Sequence, residues 1–328
     1  MKGAARMDIK KFQWKGKWTG VNVYPITVFT EDMKVDYDAM RSLFRFLVKA
    51  GVAGIGVNGH TGEGECLTRE ERIKVIQIAR EEIQGKIPIC TGIHKHTIDE
   101  GVEEARALEK AGVDTVMILA PAYYLLNTME DPRYGVEYHK AIARAVNIPV
   151  VMHQSYDHQG ACEYPTEAFA KLFREIDNLV AVKLANGWDT RWLKLEADMQ
   201  ALRAVGRENI SLFPGTTSMM TFLWGCDGVF SGYACMDPHG LIDLWNAVQK
   251  GDLFEARKIH FERIRPLEEV IYVRPMVDLI TKYKEVCYWL GLIPRATVKH
   301  RLPLLPEVRR KLYEGLKNTS VKVVRDYE

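Results

Sequence analysis

Six cysteines are spread through 328 residues without a single Cys-x-x-Cys pair, a spacing that offers neither a disulfide framework nor a clustered zinc ligand set. Cys66, Cys90, Cys162, Cys226, Cys235 and Cys287 lie far apart, and several fall inside expected core elements, so they read as reduced and buried. An excess of one charge is lacking as well. The 45 basic and 43 acidic residues leave a formal net charge of +2 without long blocks, which argues against a nucleic-acid track or an anionic membrane surface. No apolar run approaches the roughly 18 residues of a membrane helix, and Met1 to Met7 lack the apolar core of a signal peptide. Internal repeats and low-complexity stretches are missing too. The expectation is a cytoplasmic protein whose partners are small molecules and copies of itself, with no nucleic acid and no membrane among them.

What is present is a large globular composition, 47% hydrophobic and 27% charged, enough for one big α/β barrel or two ordinary domains. Short β-branched runs alternate with longer amphipathic segments from about residue 20 to about 250, the pattern of a parallel sheet with crossover helices. Eight strands are read at 21–28, 54–57, 87–91, 115–119, 149–152, 180–183, 210–213 and 228–231, with helical spacing at 37–50, 69–84, 99–111, 134–145, 166–174 and 191–205. Thr68 and Glu71 have capping-box spacing, and Gly51 and Gly112 stand where left-handed C-caps belong. Eight such units predict a closed (β/α)8 TIM barrel, in which chemistry gathers at the C-terminal ends of the strands. Beyond residue 250 only helices follow, at 253–270, 275–290 and 306–316. The division is an N-terminal segment (1–19), the barrel (20–250) and a C-terminal helical extension packed on it (251–328), whose polar end, 317–328, is expected to fray.

Lys183 closes the apolar run Asn178-Leu-Val-Ala-Val-Lys. On a strand rim among apolar neighbours an ammonium loses hydration, its pKa falls toward neutrality, and the free amine becomes a nucleophile. A lone lysine at a strand end also reads as a snorkelling side chain. The second strand is followed by Gly59-His-Thr-Gly-Glu-Gly-Glu65, where glycines allow a tight turn and the amides between them, with the Thr61 hydroxyl, suit a carboxylate.

Taken in order, Gly59–Glu63 with Leu67-Thr68 and Glu71-Arg72, Pro121-Ala-Tyr-Tyr124, Pro149-Val-Val-Met-His153, Val182-Lys183, Pro214-Gly-Thr216, Gly225–Ser231 and the tail from Lys284 through Gly291 to Arg301-Leu-Pro303 resemble one family. It is that of dihydrodipicolinate synthase and N-acetylneuraminate lyase, the pyruvate-type class I aldolases and dehydratases. The resemblance runs from about residue 20 to 305. It implies a barrel followed by C-terminal helices, often a homotetramer built as a dimer of dimers, and a lyase that needs no cofactor because the substrate is held as a covalent imine on lysine. Lys183 matches the imine-forming position, and the iminium makes the carbonyl carbon an electron sink. His60 and Thr61, on the turn opened by Gly59, match the carboxylate-binding positions, and Ser231 is placed with the substrate-binding residues. Tyr124 matches a tyrosine that reaches the neighbouring subunit's proton relay.

Two departures bear on the substrate. His153 stands where the family usually has a proton-shuttling tyrosine; imidazole, with a pKa near ~6.5 against ~10 for a phenol, shuttles protons more readily at neutrality. His158 stands where dihydrodipicolinate synthase has an arginine gripping a carboxylate, which argues against that reaction because a neutral histidine does not replace bidentate binding. Gln154, Ser155, Tyr156 and His158 suit a polyhydroxylated 2-keto-3-deoxy sugar acid, while Trp188 leaves an aromatic substrate open.

Two rival readings stand beside this one. His60, His94, His96, His153 and His158 all follow strands, and His94-Lys-His96 has the alternation that puts two imidazoles on one face of an extended segment, as in a metal-dependent hydrolase. A barrel that binds a keto acid without turnover is the other. Glu63 is read as orienting its loop, Pro214–Thr217 as structural, Asp189 as a helix N-cap, and Tyr283, Tyr288 and Trp289 as core or subunit interface.

Overall fold

A computed structural model describes residues 12–14, 16–119, 128–155, 163–185, 192–215, 219–273 and 276–327. Eight strands, β1 (Gly20–Val23), β2 (Gly54–Val57), β3 (Ile89–His94), β4 (Thr115–Leu119), β5 (Val150–Ser155), β6 (Leu179–Ala185), β7 (Ser211–Pro214) and β8 (Gly228–Ser231), alternate with helices. These are α1 (Tyr37–Ala50), α2 (Arg69–Ile83), α3 (Ile98–Ala111), α4 (Arg133–Arg144), α5 (Thr166–Glu175), α6 (Trp192–Ala204), α7 (Met219–Leu223) and α8 (Pro238–Gln249). The strands run parallel in the order β7-β6-β5-β4-β3-β2-β1-β8. At the two ends of that order the Asp227 N–H donates to the Leu212 carbonyl (2.9 Å), and the Asp227 carboxylate accepts from the Leu212 N–H (2.8 Å). The sheet thereby closes into the (β/α)8 barrel that the alternation predicts.

Local chemistry sets the element ends. Thr68 and Glu71 form the reciprocal capping box at the start of α2, and Gly51 and Gly112 end α1 and α3 at φ 89° and 92°, a region open to glycine at little cost. Asp237 caps α8, which has Pro238 in its first turn and is a helix the sequence reading did not single out. β1 ends at Val23, short of the expected 28, because Pro25 has no N–H for the ladder. β3, β5 and β6 instead run past their expected C-terminal ends, to His94, Ser155 and Ala185. The interior of the barrel turns polar at its mouth, so an apolar-run criterion stops too early there.

Alternation divides the strand residues. Val150, Met152, Val182 and Leu184 belong to the core between sheet and helices, whereas Cys90, Met117, Val151, Ala181, Phe213 and Phe230 form a separate apolar cluster inside the barrel. Trp18, from the N-terminal segment, joins this inner cluster through edge contacts to Phe213 (5.3 Å) and Phe230 (5.4 Å). Two residues beyond Val151 and Ala181, on the same inner face, come His153 and Lys183.

The C-terminal region consists of α9 (Leu253–Ile259), a π-helical turn (His260–Ile264), α10 (Arg265–Ile271), a short 3-10 turn (Met276–Asp278), α11 (Leu279–Trp289) and α12 (Pro306–Leu316). The continuous helix expected over 253–270 therefore carries a π-turn. The tail expected to fray is tied down among the described residues. The Val324 N–H donates to the Trp289 carbonyl (2.9 Å), Arg325 donates to the Ile293 carbonyl (2.7 Å), and Val321 and Val323 pack on the core. Its polar composition hid two β-branched anchors. Cys90, Cys226, Cys235 and Cys287 are buried free thiols and Cys66 is a half-buried one; Cys162 lies outside the described residues. No helix among the described residues is long and apolar enough to cross a membrane.

Candidate active site

Lys183 pairs in register with His153 on one side and Phe213 on the other. Its side chain is nearly buried, with 9% exposure, and makes no hydrogen bond or ion pair among the described residues. Beneath it lies the Tyr24 ring, whose centroid is 5.4 Å from Lys183 Nζ. That ring stacks on Phe230 (4.5 Å), and its hydroxyl sits 3.3 Å from both Cys90 Sγ and Met117 Sδ. The amine thus rests on an apolar floor with no carboxylate paired to it among the described residues, and burial lowers its pKa from 10.5 to about 8.

Tyr24 also explains two glycines. A Cβ at Gly56 or Gly59 would lie 2.2 Å or 2.4 Å from Tyr24 Cε1. Gly59 is therefore required by close packing, independently of any ligand. Sequence reasoning missed Tyr24; its signal was the pair of glycines on β2 and just after it, facing an aromatic two residues beyond the inward Asn22.

His153 is buried, and its Nε2 has no hydrogen-bond partner among the described residues. Burial holds its pKa well below 6.5, followed by the charge of Lys183 and then by His60, His94 and His139. The imidazole is neutral at physiological pH. Gln154, expected to line the substrate, points the other way: it donates to Asp198 Oδ2 of α6 at 2.5 Å, because adjacent strand residues face opposite sides.

After β2 the chain turns tightly through Asn58 and Glu63, both at φ 54°. A Cβ at Gly64 would lie 1.9 Å from the Asn58 carbonyl oxygen, so this position admits only glycine. The Glu63 N–H donates to the His60 carbonyl and the Gly64 N–H to the Gly59 carbonyl, both at 3.1 Å, while Thr27 Oγ1 donates to the Gly62 carbonyl at 2.6 Å. The N–H groups of His60, Thr61 and Gly62 make no hydrogen bond among the described residues. Successive free amides on such a turn form a nest for an anion. Burial lowers the His60 pKa to about 3, with Lys183 and Arg301 the next causes. Thr61 is buried against Gly232, where a Cβ would lie 2.9 Å from its Oγ1. The neighbouring Ser231 hydroxyl accepts from the Tyr233 N–H at 3.1 Å, so its acceptor side is engaged within the chain.

His94 Nε2 donates to the Asn58 carbonyl at 3.0 Å, which leaves its Nδ1 facing Glu65 Oε2 at 3.8 Å. β3 ends at His94 and His96 is exposed, so the two imidazoles expected on one face of an extended segment are not brought together. Among the described residues no group of three His, Cys, Asp or Glu side chains is placed to hold a metal. Glu63, read as orienting its loop, is buried with both carboxylate oxygens; Tyr283 and Trp289 are buried and Tyr288 is partly buried, where the sequence reading had put them in core or interface. Tyr124, Tyr156, His158, Trp188, Asp189, Thr216 and Thr217 lie outside the described residues.

The dihydrodipicolinate synthetase family model matches residues 17–319. The chain is 31% identical over 312 residues to the 4-hydroxy-tetrahydrodipicolinate synthase of Chlorobium phaeobacteroides (strain BS1), covering 94% of this chain and 99% of that protein. It is 31% identical over 286 residues to the enzyme of the same name from Leptothrix cholodnii, covering 86% and 90%. Among solved structures, dihydrodipicolinate synthase from Aquifex aeolicus superposes with a TM-score of 0.82 at 27% identity, over 94% of this chain and all of that one (100%). An E. coli K12 prophage protein solved with pyruvate superposes at 0.81 over 93% and 99%, and at 21% identity this speaks to the fold alone.

Proposed function

The chain belongs to the dihydrodipicolinate synthetase family and is a lyase, and on that premise we propose that it works through an imine between Lys183 and the ketone of a 2-keto acid, pyruvate or a 2-keto-3-deoxy sugar acid. The carrying observation is the Lys183 amine: buried above Tyr24, without an acid partner among the described residues, its pKa lowered to about 8. A sizeable fraction is then unprotonated near neutral pH, where an ordinary lysine has very little free amine. No cofactor is called for, since the iminium itself accepts the electron pair released from the neighbouring carbon.

The other roles follow from what each group offers. The free amides of His60, Thr61 and Gly62 receive the keto-acid carboxylate, on the turn that Gly59 begins. His153, neutral and with an unpartnered Nε2, accepts and returns the proton during carbinolamine formation and bond cleavage. Tyr124 would assist from a neighbouring subunit in a dimer of dimers, His158 would meet the distal part of the substrate, and Ser231 would line the pocket. The enzyme is read as cytoplasmic, in keeping with free thiols at the five described cysteines.

We favour a sugar-acid aldolase or dehydratase over 4-hydroxy-tetrahydrodipicolinate synthesis because His158 stands where that reaction's arginine is expected. The names of the curated relatives support the second reading. The test is borohydride reduction in the presence of single 2-keto acids, with mass spectrometry of the Lys183 peptide: the added mass names the acid. Turnover of pyruvate with aspartate semialdehyde would establish the second reading instead, and chelator-sensitive turnover with no adduct would remove the imine.

A further inference from the structure

Glu63, in the carboxylate-binding turn, is fully buried, and among the described residues its oxygens face two cations rather than any backbone N–H. Two cations from the C-terminal extension hold it: Lys284 Nζ of α11 at 2.6 Å and Arg301 Nε at 3.6 Å. Lys284 is itself 1% exposed, donates to the Thr297 carbonyl (3.2 Å) and lies 4.2 Å from the Phe29 ring centroid. The preceding residue of α11, Tyr283, reaches Gly232, which Thr61 of the turn also approaches. A Cβ at Gly232 would lie 2.7 Å from Tyr283 Cε2 and 2.9 Å from Thr61 Oγ1, so both side chains close on the space beside Gly232.

The turn is strained and needs such anchors. Its two non-glycine residues with positive φ, Asn58 and Glu63, frame the free amides of His60, Thr61 and Gly62. Strain of this kind persists only where the surroundings over-determine it. The Asn58 end is held from within the barrel, Nδ2 donating to the Arg72 carbonyl (3.2 Å) and Thr91 Oγ1 (3.3 Å). The Glu63 end is held from α11. We propose that Lys284 is a positioning residue of the carboxylate subsite, which makes the C-terminal extension a working part of the 2-keto acid site. Without the ammonium, the Glu63 carboxylate must find water or a proton, its φ relaxes, and the three amides lose their common direction. The inference rests on the reading of those amides as the keto-acid site.

The test uses the full chain and pyruvate as the probe, following borohydride-trapped adduct on the Lys183 peptide across pyruvate concentrations. In Lys284→Met the half-saturating pyruvate should rise about 10- to 100-fold, the worth of a hydrogen bond to a charged group, while trapping at saturation stays within about threefold. Lys284→Arg, which keeps the charge, should return half-saturation toward wild type. Because Lys284→Met leaves a buried carboxylate unpaired, Glu63→Gln with Lys284→Met serves as the neutral counterpart and should show the same rise. A purely structural pair would lower thermal stability and leave half-saturation alone, which overturns the proposal, as would failure of both variants to fold. Wild-type protein that traps neither pyruvate nor any other 2-keto acid on Lys183 removes the imine reading and this inference together; trapping that Lys284→Met does not shift removes this inference only.

Discussion

His153 and Lys183 are register partners on adjacent parallel strands, and after burial the charge of the lysine is the strongest cause keeping the imidazole unprotonated. Parallel strands lie about 4.8 Å apart, so a buried amine and a neutral imidazole stand side by side on the inner face of the barrel. A tyrosine in place of His153 would keep its proton at neutral pH; a neutral imidazole offers a lone pair at once. Five measurements follow from this arrangement and its surroundings.

Adduct formation should depend on pH through Lys183. Its folded pKa is about 8, so the trapping rate is expected to climb with pH and reach half its plateau near that value. His153 stays neutral throughout and should add no inflection near 6.5. A profile still climbing above pH 10 would mean that the amine is not perturbed.

Lys183→Met should abolish trapping and also stabilise the fold. The sign follows from linkage: the folded pKa (about 8) lies below the unfolded one (10.5), so between these values the unfolded chain binds more protons and wild-type stability rises with pH. Below pH 8 the folded state bears the whole penalty of a buried ammonium, and the variant should gain about 1–3 kcal/mol at pH 7. Chemical denaturation at pH 7 and pH 10.5 checks this; the gap between the proteins should narrow at the higher pH.

His153→Phe keeps an aromatic ring at the position and removes the lone pair. Turnover should fall roughly 10²–10⁴-fold, the usual worth of a general acid–base group, with the circular dichroism spectrum unchanged. A loss below about tenfold would hand the proton to another group.

Gly59→Ala places a Cβ 2.4 Å from Tyr24 Cε1, and overpacking of this kind costs about 1–3 kcal/mol. Thermal denaturation should register it, and Tyr24→Leu in the same chain should recover part of the loss. An alanine variant as stable as wild type would mean that the turn does not rest on the tyrosine.

Arg72→Met tests the other support of the loop. Arg72 binds Glu104 through Nε (3.0 Å) and Nη2 (2.7 Å) and donates from Nη1 to the carbonyls of Leu67 (2.7 Å) and Gly64 (3.3 Å). Its removal leaves Glu104, 1% exposed, with Arg69 alone. Breaking a buried pair in this way should cost about 3 kcal/mol of unfolding free energy, near the low end of the known range because Arg69 remains. Equilibrium unfolding in urea measures it.

Strand periods and glycine caps made most of the barrel legible in the chain itself. Val21 and Val23 lie on a strand by their spacing, Gly51 and Gly112 end helices, and Lys183 stands out at the end of its apolar run. His94 and Gln154 show the limit of that reading. Both sit on strand ends whose polarity breaks the apolar pattern; His94 turns out to brace Asn58, and Gln154 to face α6. A one-residue step decides the face of a strand residue, and composition around a barrel mouth does not report that step.

Order along the chain determined the eight βα units, the lysine at the end of the sixth strand and the glycine turn, because hydrogen-bond periods and the conformational freedom of glycine are local properties. The apolar floor of Tyr24 beneath Lys183 and the grip of Lys284 on Glu63 joined residues 159 and 221 positions apart. Those were decided only by barrel closure and by the docking of α11, since desolvation and Coulomb attraction depend on distance in space and carry no signature in sequence spacing.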